Sequence, residues 1–288
     1  MWRRRVPARR PGRALARRQR GHPLVREEAI ALLAELRQRR IRLCRLAPEA
    51  ALSTFEEACA FLADRGMLTL TADSALPSLF AACHEPPYKP GGTGFASWPR
   101  TKWPWGGRLA EQEGVVDAKV HRGKTLLLSA EAATLIDPIC RAELDRVEAG
   151  SYGPEGARLV AYLSAAGPRR SEECATELGL TAAALRSVRA KLERVGAVVA
   201  RSIEVEGADF GHRHTSVLRR WDQQKVKRSK RIEADALRDL VVAGVRAAVL
   251  APENEARAWF SWDLTTREMD ALVVSGRLVR PVAGWVTA

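Results

Sequence analysis

Residues 157–221 constrain the fold more than any other part of the chain. Arg158–Ala165 has helical periodicity, and Gly167-Pro168 turns the chain. Ser171 is placed to N-cap a second helix whose first turn holds Glu172 and Glu173, where negative charge complements the helix dipole. Gly179-Leu180-Thr181 is a tight turn, and Thr181 N-caps a third helix, Ala182–Val195, closed by Gly196. Val198–Glu206, Gly207 and Thr215–Trp221 then read as a hairpin. Three helices followed by a two-stranded ribbon is the order of a winged helix-turn-helix. On the third helix Leu185, Val188 and Leu192 share one face, expected in the core. Arg186, Ser187, Ala190 and Arg194 share another, with Arg189 counted among the polar candidates. In this motif that outer face enters the major groove, where Arg donates bidentately to guanine. The same pattern also suits a unit used only for protein contact, its arginines on a wet surface.

Charge supports the first of these. The net charge of +13 is concentrated in two blocks. Residues 1–20 carry nine Arg and no acid. Residues 212–231 carry eight Arg and Lys against Asp222, and the rest of the chain sums to −3. Blocks of like charge stay solvated or bind a polyanion. The second block begins on the wing strand, where winged proteins touch phosphates, so His212, Arg213, His214, Arg219 and Arg220 are candidate DNA contacts, with residues 219–231 following them. The first reads either as a functional arm or as a solvated tail, since Arg outnumbers Lys 39 to 8 as expected of a GC-rich coding sequence. An anionic membrane surface is the weaker alternative, because neither block has an apolar face.

Other classes fall away. The N-terminus has no apolar secretion segment, and the longest apolar stretches, near 157–166 and 240–250, are too short to span a bilayer. Five Cys without a CxxC pair give neither a disulfide framework nor a zinc ribbon. Glu111, Glu113, Asp117 and His121 are too close along a surface-like segment to argue for a metal, and His212 and His214 lack a third ligand. No metal and no cofactor is expected, and the chain is read as cytoplasmic and nucleoid-associated.

Upstream, Ile30, Leu33, Leu36 and Ile41 recur at near-helical spacing. A second helix is expected from Ser53, with Glu56 completing a capping box and Phe55, Ala58 and Leu62 as its buried stripe. Gly66 suits a left-handed C-terminal position before a strand at Met67–Thr71. Residues 84–108 read as a long loop rich in Tyr, Phe and Trp. Lys102, Trp103 and Trp105 within it have the makings of a base-stacking surface, or else anchor the loop to the core. Two strands flank Arg122-Gly123, with Arg122 and Lys124 as further candidate DNA contacts. A helix follows at Leu135–Val147. At the C-terminus, Thr265–Val274 reads as a helix capped by Gly276, with strands at Arg277–Val279 and Gly284–Thr287. FLADRGMLTLT, LERVGAVVARS and LVVSGRLVRPV thus share a helix–Gly–strand shape. The expected fold is α+β and helix-rich, built of tandem winged helix-turn-helix units with small β-hairpin wings. Its divisions are a disordered arm at 1–22, an N-terminal unit at 23–150, a central unit at 151–231 and a C-terminal unit at 232–288.

Over Val25–Ala288 this layout resembles the bacterial AlkZ-like DNA glycosylases. The likeness rests on FLADRGMLTLTADSALPSLF, on the KVHRGKTLLLS hairpin and on ARAWFSW with ALVVSGRLVRPVAGW. It implies action on alkylated bases in double-stranded DNA. Catalytic members carry Gln, an apolar residue and Asp on the strand after the glycine; here Thr69-Leu70-Thr71 stands in that place. Cleavage of an N-glycosidic bond builds oxocarbenium character that a carboxylate stabilises, and Thr carries no charge. Asp73, two residues on, is the nearest substitute, and Asp64 a more distant one. The implied function is duplex DNA binding in repair or damage recognition. A non-enzymatic winged-helix regulator and a protein-interaction scaffold are the alternatives.

Overall fold

The computed structural model describes residues 26–92, 94–206 and 212–288. The expected arm at 1–22, Gly207 and the side chains of His212 and Arg213 lie outside the described residues. Helix α1 (Arg26–Leu43) buries only Leu36 of its expected stripe, and Ile30 is 56% exposed. Its tie to the body is polar: Arg40 Nη1 donates to the carbonyls of Ala75 at 2.6 Å and Ala248 at 2.7 Å. Helix α2 (Phe55–Arg65) is capped by Thr54, one residue later than expected. Thr54 Oγ1 accepts from Glu57 N–H at 3.2 Å, while the Glu57 carboxylate accepts from Ser53 N–H at 2.7 Å. This register turns Ala58, Phe61 and Leu62 inward. Gly66, at φ 77°, ends the helix and feeds β1 (Met67–Thr69).

Helices α3 (Leu79–Cys83) and α4 (Trp105–Ala110) bracket the aromatic segment. Trp105 is buried with its ring edge-on to Phe55 at 6.2 Å, and Tyr88 and Trp98 lie against Phe80. These rings complete a core with Leu52, Phe61, Leu79 and Leu109. Strands β2 (Val116–His121) and β3 (Lys124–Leu128) form the expected hairpin. Its two turn residues have positive φ, 53° at Arg122 and 83° at Gly123, which suits the right-handed twist of the ladder. The sheet order is β1-β3-β2.

Helix α5 (Ala130–Glu148) is the spine of the molecule. It begins earlier than expected because Ser129 caps it, and it passes through Pro138. Ile136, Ile139, Cys140, Leu144 and Val147 are buried, and so is Asp137 between them. Then come α6 (Pro154–Ala166), β4 (Arg169–Arg170), α7 (Ser171–Leu178), α8 (Ala182–Arg194), β5 (Val198–Glu206) and β6 (His212–Arg220), with sheet order β4-β6-β5. Strand β4 explains a misplaced cap. Arg170 pairs with Val217, so the extended chain runs to 170 and Ser171 becomes the first helical residue. Its hydroxyl donates instead to Ser216 O at 3.1 Å. Gly196 lets the exit of α8 approach α5: an added Cβ would collide with Cys140 Sγ.

The C-terminal part holds α9 (Glu233–Ala248), β7 (Ala251–Pro252), α10 (Glu253–Arg257), α11 (Thr266–Val274) and β8 (Trp285–Val286). The expected hairpin is not formed. Its strands meet at a single bridge, Val279 to Thr287, and β8 pairs with β7 instead. The three repeated glycines, Gly66, Gly196 and Gly276, nevertheless share positive φ. The largest core cluster takes residues from Met67 to Val286, so the hairpin, α5, Trp221, α9 and α11 pack as one body. No described helix is long and apolar enough to cross a membrane.

Asp137 joins these parts. Its carboxylate accepts from Trp221 Nε1 at 2.9 Å, Arg141 Nε at 2.9 Å and the Ser229 N–H at 3.0 Å. Truncation leaves a half-buried guanidinium, the buried Trp221 indole N–H and the half-buried Ser229 N–H unpaired. Asp137→Ala is expected to cost about 3–5 kcal/mol, read as a lowered midpoint in urea unfolding.

Candidate nucleic-acid interface

Helix α8 is fixed from its inner face. Thr181 Oγ1 accepts from Ala184 N–H at 3.2 Å, and Leu185 and Leu192 are buried. Arg186, Ser187, Ala190 and Arg194 stand exposed on the outer face. Arg189 is used internally. Its Nε lies 2.7 Å from Glu193 Oε1, and its Nη1 donates to Ser171 Oγ at 3.0 Å. Glu193 is buried and is also paired with Lys119 of β2, so α8 is clamped to the first hairpin by charge. A groove of about 550 Å³ runs between α7, α8 and β6, with Arg186 and His214 on its walls. His214 is exposed, and the neighbouring Thr215 hydroxyl donates to Glu172 at 2.6 Å.

The other expected contacts divide by how far the fold already uses them. Arg219 is half-buried. Arg220 is buried, ion-paired to Glu148 at 2.7 Å and Asp222 at 2.9 Å, with Nη1 also donating to Val160 O at 3.3 Å. Its guanidinium belongs to the base of the β4-β6-β5 sheet and presents nothing outward. Lys102 Nζ donates to Leu52 O at 2.7 Å and lies over the Trp105 ring. Lys102 and Trp105 therefore anchor the aromatic loop, whereas Trp103 is 40% exposed. Arg122 Nε donates to Ala258 O at 2.7 Å.

The segment from Thr69 to Ala75 is held at several points. Thr69 is buried, and its hydroxyl donates to Pro77 O at 3.3 Å. Thr71 is half-buried. Ser78 Oγ donates to Leu70 O at 2.9 Å, and Ala72 N–H donates to the Tyr88 hydroxyl at 2.8 Å. Ala75 N–H donates to the Glu255 carboxylate, which also accepts from Trp259 Nε1 at 2.8 Å. Asp73, its side chain 13% exposed, is ion-paired to Lys124 and lies 3.4 Å from His121 Nε2. The structure thus gathers Asp73, His121 and Lys124 at one end of the first sheet. His121 is buried rather than on a surface, and desolvation holds its pKa below the usual range although the Asp73 charge opposes this. Asp64 is exposed and paired with its neighbour Arg65.

Sequence reasoning underrated Asp117. It lies on β2 beside a cavity of about 20 Å³ shared with Lys119, Thr125, Glu193 and β5. Burial pushes its carboxyl up to about 6, against the pull of its own backbone amide and of Arg201, Lys119 and Arg219. Among the described residues, no group of three or more His, Cys, Asp or Glu is arranged to hold a metal.

No family model matches the chain, and no curated protein matches it. Among solved structures, the DNA glycosylase AlkZ of Streptomyces sahachiroi matches with a TM-score of 0.52 at 13% identity, over 89% of this chain and 70% of that one. The chain has an AlkZ-like fold, helix-rich α+β with small antiparallel sheets. At this identity the likeness is one of fold alone.

Asp117 and His121 give opposite pH dependences. Between about pH 4 and 6 the folded chain keeps the Asp117 proton that the unfolded chain has lost, so rising pH removes stability through this window. Below about pH 6.5 the folded chain refuses the His121 proton that the unfolded chain takes, so falling pH removes stability. Asp117→Asn should match the parent near pH 4 and exceed it by on the order of 1–3 kcal/mol at pH 7, in denaturation series at each pH.

Proposed function

We propose that this chain binds duplex DNA, in repair or damage recognition, on an AlkZ-like scaffold whose Gln-x-Asp stretch is replaced by Thr69-Leu70-Thr71. Residues 154–221 act as a winged helix-turn-helix, with α8 as the helix that enters the major groove and β5–β6 as the wing. The observation that carries this reading is the outer face of α8. Arg186, Ser187, Ala190 and Arg194 are exposed on a helix whose other side is clamped by Leu185, Leu192 and Glu193. The name of the structural neighbour, a DNA glycosylase, supports DNA as the partner.

Recognition comes ahead of bond cleavage in this reading. Thr69 and Thr71 hold the motif positions without charge, and the Asp73 carboxylate is committed to Lys124 and His121. That commitment also favours the second reading, a regulator that never cleaves. The two differ in what they prefer: a lesion regardless of sequence, or a palindrome with half-sites about one DNA turn apart.

The deciding experiment incubates excess protein with a duplex carrying an alkylated base, reads abasic sites by alkaline cleavage, and measures binding to the same duplex. Binding without abasic sites is expected. Abasic sites lost in Asp73→Asn would instead make Asp73 catalytic, and absence of salt-sensitive binding would leave a protein scaffold. In fluorescence anisotropy, Arg186→Ala and Arg194→Ala should each weaken binding by about 1–3 kcal/mol, or 5- to 150-fold, with little change in Tm. Arg189→Ala should lower Tm.

A further inference from the structure

A second groove lies away from α8. It has a volume of about 770 Å³ and runs between the start of α5 and the basic run Lys225–Arg231. No helix or strand covers residues 225–230, yet they are held in place. Ser229 N–H donates to the buried Asp137 carboxylate at 3.0 Å. Val226 packs on the main core, and Arg231 is ion-paired to Asp239 of α9 at 2.5 Å. The inward residues, Val226 and Ser229, fall three apart. Lys225, Lys227, Arg228 and Lys230 are left exposed, and among the described residues none of the four has an ion-pair partner.

Four unpaired cations on an irregular segment fixed by a buried carboxylate are a charged track rather than a loose tail. From this geometry we infer that Lys225, Lys227, Arg228 and Lys230 form a second, sequence-independent contact to the phosphates of the DNA bound by α8. The inference rests on the duplex-DNA reading above. Strand β6 has nine residues and spans about 30 Å, with the track just past its base. That length approaches one turn of duplex, about 34–36 Å, so track and wing grip different phosphates. Among the described residues, Glu131, at the start of α5, is the one acid lining the groove, and it opposes a phosphate there.

The test compares the full chain with a quadruple variant, Lys225→Ala, Lys227→Ala, Arg228→Ala and Lys230→Ala, on one duplex across a salt series. Each phosphate no longer neutralised flattens the log K against log salt slope by about 0.9, so the variant should be shallower by about 3–4. Its hydroxyl-radical footprint should lose protection on one flank while keeping the part that Arg186→Ala weakens. Glu131→Gln should strengthen binding, a gain that misfolding does not produce. An unchanged slope and footprint in a quadruple variant that still binds DNA overturns the track and leaves the α8 reading standing. Absence of salt-sensitive DNA binding by the parent chain overturns both. Retained DNA slope with loss of binding to anionic phosphatidylserine vesicles would assign the run to a membrane and also overturn it.

Discussion

A carboxylate taken out of water has to be met by donors on every side, and Asp137 is met from three directions. One donor comes from its own helix, one from Trp221 directly after β6 and one from the basic run. Each of these groups would lose more by standing alone than it gains from the pairing, and this asymmetry fixes their mutual position. Glu143, further along α5, works in the same way. It accepts from Tyr152 at 2.5 Å, Arg146 at 2.9 Å and Trp262 at 3.1 Å, so the entry to α6 and the C-terminal region are referenced to the same helix. Parts that look separable along the chain are therefore held on one spine.

Charge serves a similar purpose between the hairpin and α8. Glu193 needs both Lys119 and Arg189, which ties the helix that faces solvent to the sheet that ends beside Asp73. Asp73 in turn has its negative charge answered by Lys124 and approached by His121. Each of its two oxygens thus faces a basic side chain of the first hairpin. The loop from Leu70 to Ser78 is held by Arg40, Tyr88 and Glu255 as well, so bringing Asp73 towards a substrate would break several bonds at once.

Legibility in the sequence followed the range of the interactions. Thr181 before α8, Gly66 after α2 and the Arg122-Gly123 turn are local devices whose chemistry lies within four residues, and each stands where it was expected. The failures are tertiary. Ser53 and Thr54 both make good caps, and only the inward turn of Phe61 decides between them. Ser171 lost its cap role to a strand pairing with a residue far along the chain, Val217. The C-terminal hairpin gave way because Trp285 and Val286 found Pro252 and Ala251. Asp137 left a trace, a lone acid inside the apolar run Leu135–Cys140, but its partners lie 84 and 92 residues away. No periodicity carries that information.

The same distinction governs what a charge count is worth. The block from 212 to 231 reads as +7, yet Arg220 and Arg231 are absorbed by acids of the fold, and Asp222 is spent on Arg220. From residue 225 to 231, the exposed cations left without an ion-pair partner among the described residues are four, on a backbone tied to Asp137. A flexible run of equal charge would lose conformational freedom on binding a polyanion, at about 1–2 kcal/mol per residue ordered. Here much of that ordering is already done in folding, by a carboxylate whose own burial requires it. The electrostatics of the surface and the hydrogen bonding of the core are thus one problem. Changing Asp137 alters how the basic run is presented even though the residue never reaches solvent.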